Sequence, residues 1–94
     1  MRAEFAQAMI ALFRKRRDLV FITGDVGYMA LEDIAEAYAE RFINAGVAEQ
    51  NAVSLAAGLA REGHLPWVYS AAPFVVLRPY EQIRNDVCLH KLPV

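Results

Sequence analysis

The stretch from Arg41 to Val68, RFINAGVAEQNAVSLAAGLAREGHLPWV, changes its hydrophobic period twice. It opens on Phe42 and Ile43, a short apolar strand signal that stops at Asn44, Ala45 and Gly46. Ala48, Ala52, Leu55, Ala56 and Leu59 then recur at helical spacing up to Gly63, a residue suited to the left-handed turn that closes a helix. Leu65 to Tyr69 follow as the next apolar run. Strand, helix, strand is the unit that parallel neighbours require, because two parallel strands cannot be joined by a tight hairpin.

Working outward, the same alternation continues on both sides. Leu19 to Ile22 form a continuous branched run closed by Thr23, Gly24 and Asp25; the lack of polar alternation suits a strand covered on both faces. Before it, Phe5, Met9, Leu12 and Phe13 mark an amphipathic helix that ends in the basic run Arg14 to Arg17, where cations complement the helix dipole. Leu31, Ile34 and Tyr38 mark a second helix. Tyr80, Ile83 and Val87 mark a last one, with Pro79 in or near its first turn. The order α β α β α β α predicts an α/β fold, a parallel sheet with helices on both faces and right-handed crossovers. Leu92, Pro93 and Val94 read as the opening of a fourth strand. A three-stranded sheet with a bare edge is a template for pairing, so residues 1–94 are expected to be a single partial domain, truncated at the C-terminus or completed by a partner.

Composition narrows the function classes. Hydrophobic residues make up 56% of the 94, which is rich for so small a domain and implies an apolar surface shared with another chain or domain. Ten basic and eleven acidic residues leave a formal charge of −1, so no broad field recruits nucleic acid or an anionic membrane. One cysteine, Cys88, excludes an intrachain disulfide and fits a reducing compartment; its place on a helix reads as packing. Neither a signal-peptide pattern nor an apolar run of membrane-spanning length is present, which makes the cytoplasm the expected location.

Ligands of open parallel sheets bind beyond the carboxyl ends of the strands. That rule selects Asp25 in TGDVG, then Asn44, Glu49, Gln50 and Asn51 in NAGVAEQN, then Ser70 and Phe74 in SAAPF. Each has a plainer alternative: Asp25 as a turn or helix cap, Glu49 as a first-turn acid favoured by the helix dipole, Phe74 as core. GDVG has neither spacing of a phosphate-binding loop. His64 enters strand three from the opposite edge and reads as a surface loop residue. No His, Cys or carboxylate set has metal-ligand spacing, and no Ser or Cys has an identifiable base.

The segment RFINAGVAEQNAVSLAAGLAREGHLPWV, followed by YEQIRNDV, resembles the pyrimidine-binding domain of transketolase-like thiamine diphosphate enzymes, the group that includes transketolase and deoxyxylulose-phosphate synthase. The resemblance runs from LVFITGDVG to the end of the chain. It implies that Glu49 is the catalytic glutamate, whose carboxyl hydrogen-bonds pyrimidine N1′ and favours the imino tautomer that takes the thiazolium C2 proton. It implies that Phe74 stacks on the aminopyrimidine, that Asp25 lies near the cofactor, and that Arg78 and Gln82 are substrate or interface contacts. It further implies thiamine diphosphate with Mg2+ held by a separate diphosphate-binding domain or subunit, a homo- or hetero-oligomer, and a sugar phosphate or 2-oxo acid substrate. Ala56, Ala57, Gly58 and Ala60 are expected to form a small-residue face at the dimer contact. Three features depart from the family pattern. Ala71 stands where a further aromatic is usual, Pro79 replaces a small residue, and the diphosphate-binding GDG motif is absent. A non-catalytic interaction or regulatory module with a degenerate pocket is the alternative, supported by Ala71.

Overall fold

The computed structural model describes residues 1–26 and 31–94; Gly27, which closes the TGDVG segment, lies outside the described residues. The elements are α1 (Arg2–Lys15), β1 (Leu19–Thr23), α2 (Glu32–Ala37), β2 (Phe42–Asn44), α3 (Glu49–Arg61), β3 (Leu65–Tyr69) and α4 (Tyr80–Gln82). A 3-10 turn, Ala39–Arg41, precedes β2, and wide π-helical turns at Pro73–Leu77 and Ile83–Cys88 flank α4. The sheet is parallel with order β2-β1-β3, Phe21 pairing with Phe42 on one side and with Trp67 on the other.

The central place of β1 follows from its sequence, since all five of its residues are buried. Leu19 and Phe21 point into a core built with Ala6, Met9 and Phe13 of α1 and Leu31 and Ile34 beside α2. Val20 and Ile22 point to the opposite face, where Ala52 and Ala56 of α3 cover them. Each residue of β1 therefore removes a branched or aromatic side chain from water on one face or the other, worth about 1.5–3 kcal/mol per large side chain. β3 carries Pro66, whose missing N–H falls on the side of the strand turned away from β1, so the β1–β3 ladder loses no donor. No helix among the described residues is long and apolar enough to cross a membrane.

Arg41 organises one end of the sheet. Its guanidinium donates to the carbonyls of Phe13 (3.2 Å), Arg16 (2.8 Å) and Leu19 (3.4 Å), and so satisfies acceptors at the C-terminal end of α1. The same group lies 4.8 Å from the centroid of the Phe13 ring and 5.1 Å from that of Tyr38. Within the basic run, Arg14 and Lys15 fall in the last turn of α1, and Arg16 grips Asp18 with two bonds of 2.9 and 2.7 Å. That hydrogen bonding holds the Asp18 carboxyl below its ordinary range and raises Arg16.

Several expectations need correction. Leu92 packs beside Val53, Ala57 and Val87, which settles its apolar surface against α3 and the last helical turn. Ala56, Ala57 and Ala60 are buried within this chain against its own sheet and last helical turns, and only Gly58 of that face is exposed. The last helix is wound wide rather than as a regular α-helix, and Tyr80, expected on its apolar stripe, faces outward while Val87 is buried. Cys88 is exposed, so it does not pack.

Candidate functional site

The loops that leave β1 and β2 meet backbone to backbone. A Cβ on Gly24 would stand 2.5 Å from the Gly46 carbonyl oxygen, a separation that real Cβ atoms do not tolerate, so glycine is required there by space. Gly46 itself has φ 73°, the left-handed conformation that glycine adopts without strain. Ala45 N–H donates to the Thr23 carbonyl at 2.7 Å, and the Thr23 hydroxyl donates to the Tyr69 carbonyl at 3.0 Å, so the carboxyl ends of all three strands are tied together. Asn44 completes the tie through its side chain. Its Nδ2 donates to Asp25 Oδ1 at 3.0 Å, while its Oδ1 accepts from Gly46 N–H at 2.8 Å. Beside this junction lies a depression of about 300 Å³ that includes Asp25, Glu32, Phe42 and Asn44.

A second cleft, about 540 Å³, opens at the start of α3 and is lined by Val47, Ala48, Glu49, Gln50, Asn51 and Arg78. Glu49 is the first residue of α3, where the backbone dipole favours an acid. Its side chain is only 11% exposed, and its Oε2 lies 3.5 Å from Arg78 Nη1. The Arg78 guanidinium also lies over the Phe74 ring, with Cζ 4.0 Å from the centroid. Gln50 Nε2 donates to the Arg78 carbonyl at 3.4 Å, which fixes the backbone that carries this guanidinium.

The winding of the chain after β3 produces that contact. Pro73 begins a π-helical turn closed by Arg78 N–H donating to the Pro73 carbonyl at 3.4 Å. Residues four apart lie on one side of a helical turn, so Phe74 and Arg78 meet, and Arg78 reaches Glu49 at the start of α3. Wide turns of this kind are uncommon and recur at functional sites. Two buried oxygens in the flanking sequence, Ser70 Oγ and Gln82 Oε1, have no hydrogen-bond partner among the described residues. An unpaired buried polar atom is costly, and each is suited to a partner supplied from outside the chain.

Of the residues singled out from sequence, Glu49 and Arg78 line the second cleft, and Phe74 joins them through the Arg78 guanidinium. Asp25 is exposed and sits with Asn44 at the first depression. Gln82 is half-buried and contacts neither Glu49 nor Arg78 through a hydrogen bond. His64 is exposed in the loop that enters β3. No group of three or more His, Cys, Asp or Glu residues that could hold a metal ion occurs among the described residues. Sequence reasoning had no role for Asn44 as a bridge between loops. It also missed Arg78 as the partner of both Glu49 and Phe74; the only available signal was the four-residue spacing from Phe74.

A three-stranded parallel α/β sheet with an acid-bearing cleft beyond its carboxyl ends belongs to the class of open α/β folds that bind ligands at that edge. The profile of the family described as transketolase, pyrimidine binding domain, matches residues 1–94. The chain is 46% identical over 91 residues to 1-deoxy-D-xylulose-5-phosphate synthase 2 of Kitasatospora griseola, and 41% identical over 91 residues to 1-deoxy-D-xylulose-5-phosphate synthase of Clostridium perfringens. Each match covers 96% of this chain and 14% of the relative. A solved structure described as a split gene transketolase, inactive beta4 tetramer, superposes with a TM-score of 0.86 at 36% identity, covering 96% of this chain and 30% of that one. The chain belongs to the transketolase pyrimidine-binding-domain family. It spans about one seventh of the length of the synthases it matches.

Proposed function

We propose that this chain is the partial pyrimidine-binding domain of a transketolase-like, thiamine diphosphate-dependent transferase that moves a two-carbon ketol or acyl unit. In this reading a separate diphosphate-binding domain or subunit holds the diphosphate and Mg2+, and the two meet in a dimer or larger oligomer in the cytoplasm. The bound cofactor supplies an electron sink for the carbanion formed in carbon–carbon bond cleavage. This chain supplies the groups that hold and orient the pyrimidine.

The observation that carries the proposal is the sheltered carboxyl of Glu49, linked to the face of Phe74 through the Arg78 guanidinium. Both already engage one flat, nitrogen-bearing group, the Arg78 guanidinium, so a planar nitrogen heterocycle fits the pair. Glu49 hydrogen-bonds the ring nitrogen N1′ and holds or moves the proton there. Low exposure keeps water from competing for that bond. Phe74 offers a stacking face worth about 0.5–1.5 kcal/mol beyond its buried area. Asp25, tied to Asn44, contributes a further polar contact near the cofactor. Arg78 and Gln82 are assigned to contacts with a sugar phosphate or 2-oxo acid substrate or with the partner surface.

Reconstitution tests this. The full-length protein with Glu49→Ala, assembled with its diphosphate-binding part and Mg2+, is expected to keep its circular dichroism spectrum and lose at least ~10²-fold in turnover. Undiminished turnover in that variant removes Glu49 from the mechanism. Residues 1–94 alone are expected to show no thiamine diphosphate binding by calorimetry until the diphosphate-binding part is added.

A further inference from the structure

We propose that the Arg78 guanidinium is an internal stand-in for the cofactor's aminopyrimidine ring: it stacks on Phe74, pairs with Glu49, and is exchanged for the ring on binding. The inference rests on the assignment of Glu49 and Phe74 made above, and adds a competitor from the same chain. Cζ lies 4.0 Å from the Phe74 centroid, well inside the range of a cation on an aromatic face, and Nη1 lies 3.5 Å from Glu49 Oε2. One flat group thus lies over an aromatic ring and pairs with a carboxyl at the same time. An aminopyrimidine held by the same two residues uses the same face and the same oxygens, so the two occupations exclude each other.

The structure also shows why the exchange is easy. The Arg78 side chain is 52% exposed, whereas that of Glu49 is 11% exposed. Swinging the guanidinium outward hydrates a charge that is already half in water and leaves the acid in place. The backbone beneath it stays fixed by Gln50 Nε2 on the Arg78 carbonyl and by the bond from Arg78 N–H to Pro73. Arginine is suited to this task and lysine is not, because only the guanidinium combines positive charge with a flat face. The guanidinium side of this contact is half in water, where a cation–π contact is weak, so the arginine occupies the pair without locking it. A ligand that must first displace such a group binds with its affinity reduced by the fraction of protein already competent.

The test titrates the full-length protein, assembled with its diphosphate-binding part and Mg2+, with thiamine diphosphate by calorimetry and follows association by stopped flow. Arg78→Ala is expected to lower the Kd about tenfold and speed association, and Arg78→Lys to lie between it and the wild type. Phe74→Ala judges the underlying assignment separately, by weakening binding. If the wild type binds and Phe74→Ala weakens it, but Arg78→Ala binds equally or more weakly than wild type, the exchange is overturned and the assignment stands. If the wild type does not bind, or Phe74→Ala binds as the wild type does, the assignment fails and the exchange fails with it.

Discussion

Replacing Gly24 by alanine probes whether contact between the β1 and β2 loops sets the geometry of the site. The new Cβ would meet the Gly46 carbonyl oxygen at 2.5 Å, and that oxygen has to retreat to an ordinary 3.4 Å or beyond. It belongs to backbone, so no side-chain rotation relieves the clash. The retreat pulls on the Gly46 N–H bond to Asn44 Oδ1 at 2.8 Å and the Ala45 N–H bond to the Thr23 carbonyl at 2.7 Å. Overpacking costs about 1–3 kcal/mol, and each weakened hydrogen bond adds up to about 1 kcal/mol. A loss of about 2–3 kcal/mol is expected after partial relaxation. The assay is amide hydrogen exchange of Val20 to Ile22 in the full-length protein, because central-strand amides report opening of the domain. Gly58→Ala is the matched control: its Cβ would meet nothing within 4 Å, and in the interior of α3 it is expected to stabilise by about 0.4–1 kcal/mol. Exchange that slows or stays unchanged in Gly24→Ala would refute the steric reasoning, as would equal effects at the two glycines.

Two further outcomes follow from the opposite end of the sheet. Arg41→Met is expected to cost about 2–3 kcal/mol in the same exchange measurement, since it strips donors from the carbonyls of Phe13, Arg16 and Leu19, and Arg41→Lys is expected to recover only part of this. The Asp18 carboxyl, held low by Arg16, is expected to titrate below the ordinary aspartate range by NMR, and Arg16→Gln to return it upward. Because its folded value is depressed, the small stabilisation from this clamp is present above the unfolded pKa and disappears as pH falls through the folded one.

The parts of the fold legible in the sequence are those where one element's own pattern decides its place. Leu19 to Ile22 lack polar alternation, and the strand they form is buried on both faces, extended by one residue to Thr23. Leu65 to Tyr69 are a strand as the apolar run indicates, and Glu49 starts α3 directly after the glycine-containing loop. The site was legible to the extent that three strand ends share an edge. The meeting of Arg78 with Phe74 and Glu49 was not, because it depends on a π-helical turn that apolar spacing does not encode. Likewise the alanines of α3 gave the right helix but not the surface it meets; a small-residue stripe fits a sheet in its own chain as well as another subunit, and here it covers Val20 and Ile22.

The proline in β3 leaves a gap in the donors on the side of that strand turned away from β1. Leu65 N–H points inward to the Asp18 carbonyl, so the next residue, Pro66, faces outward along the free border and offers no donor there. A strand laid along that side meets the Pro66 carbonyl but no N–H at this register, so whatever pairs there has to satisfy one of its own acceptors elsewhere.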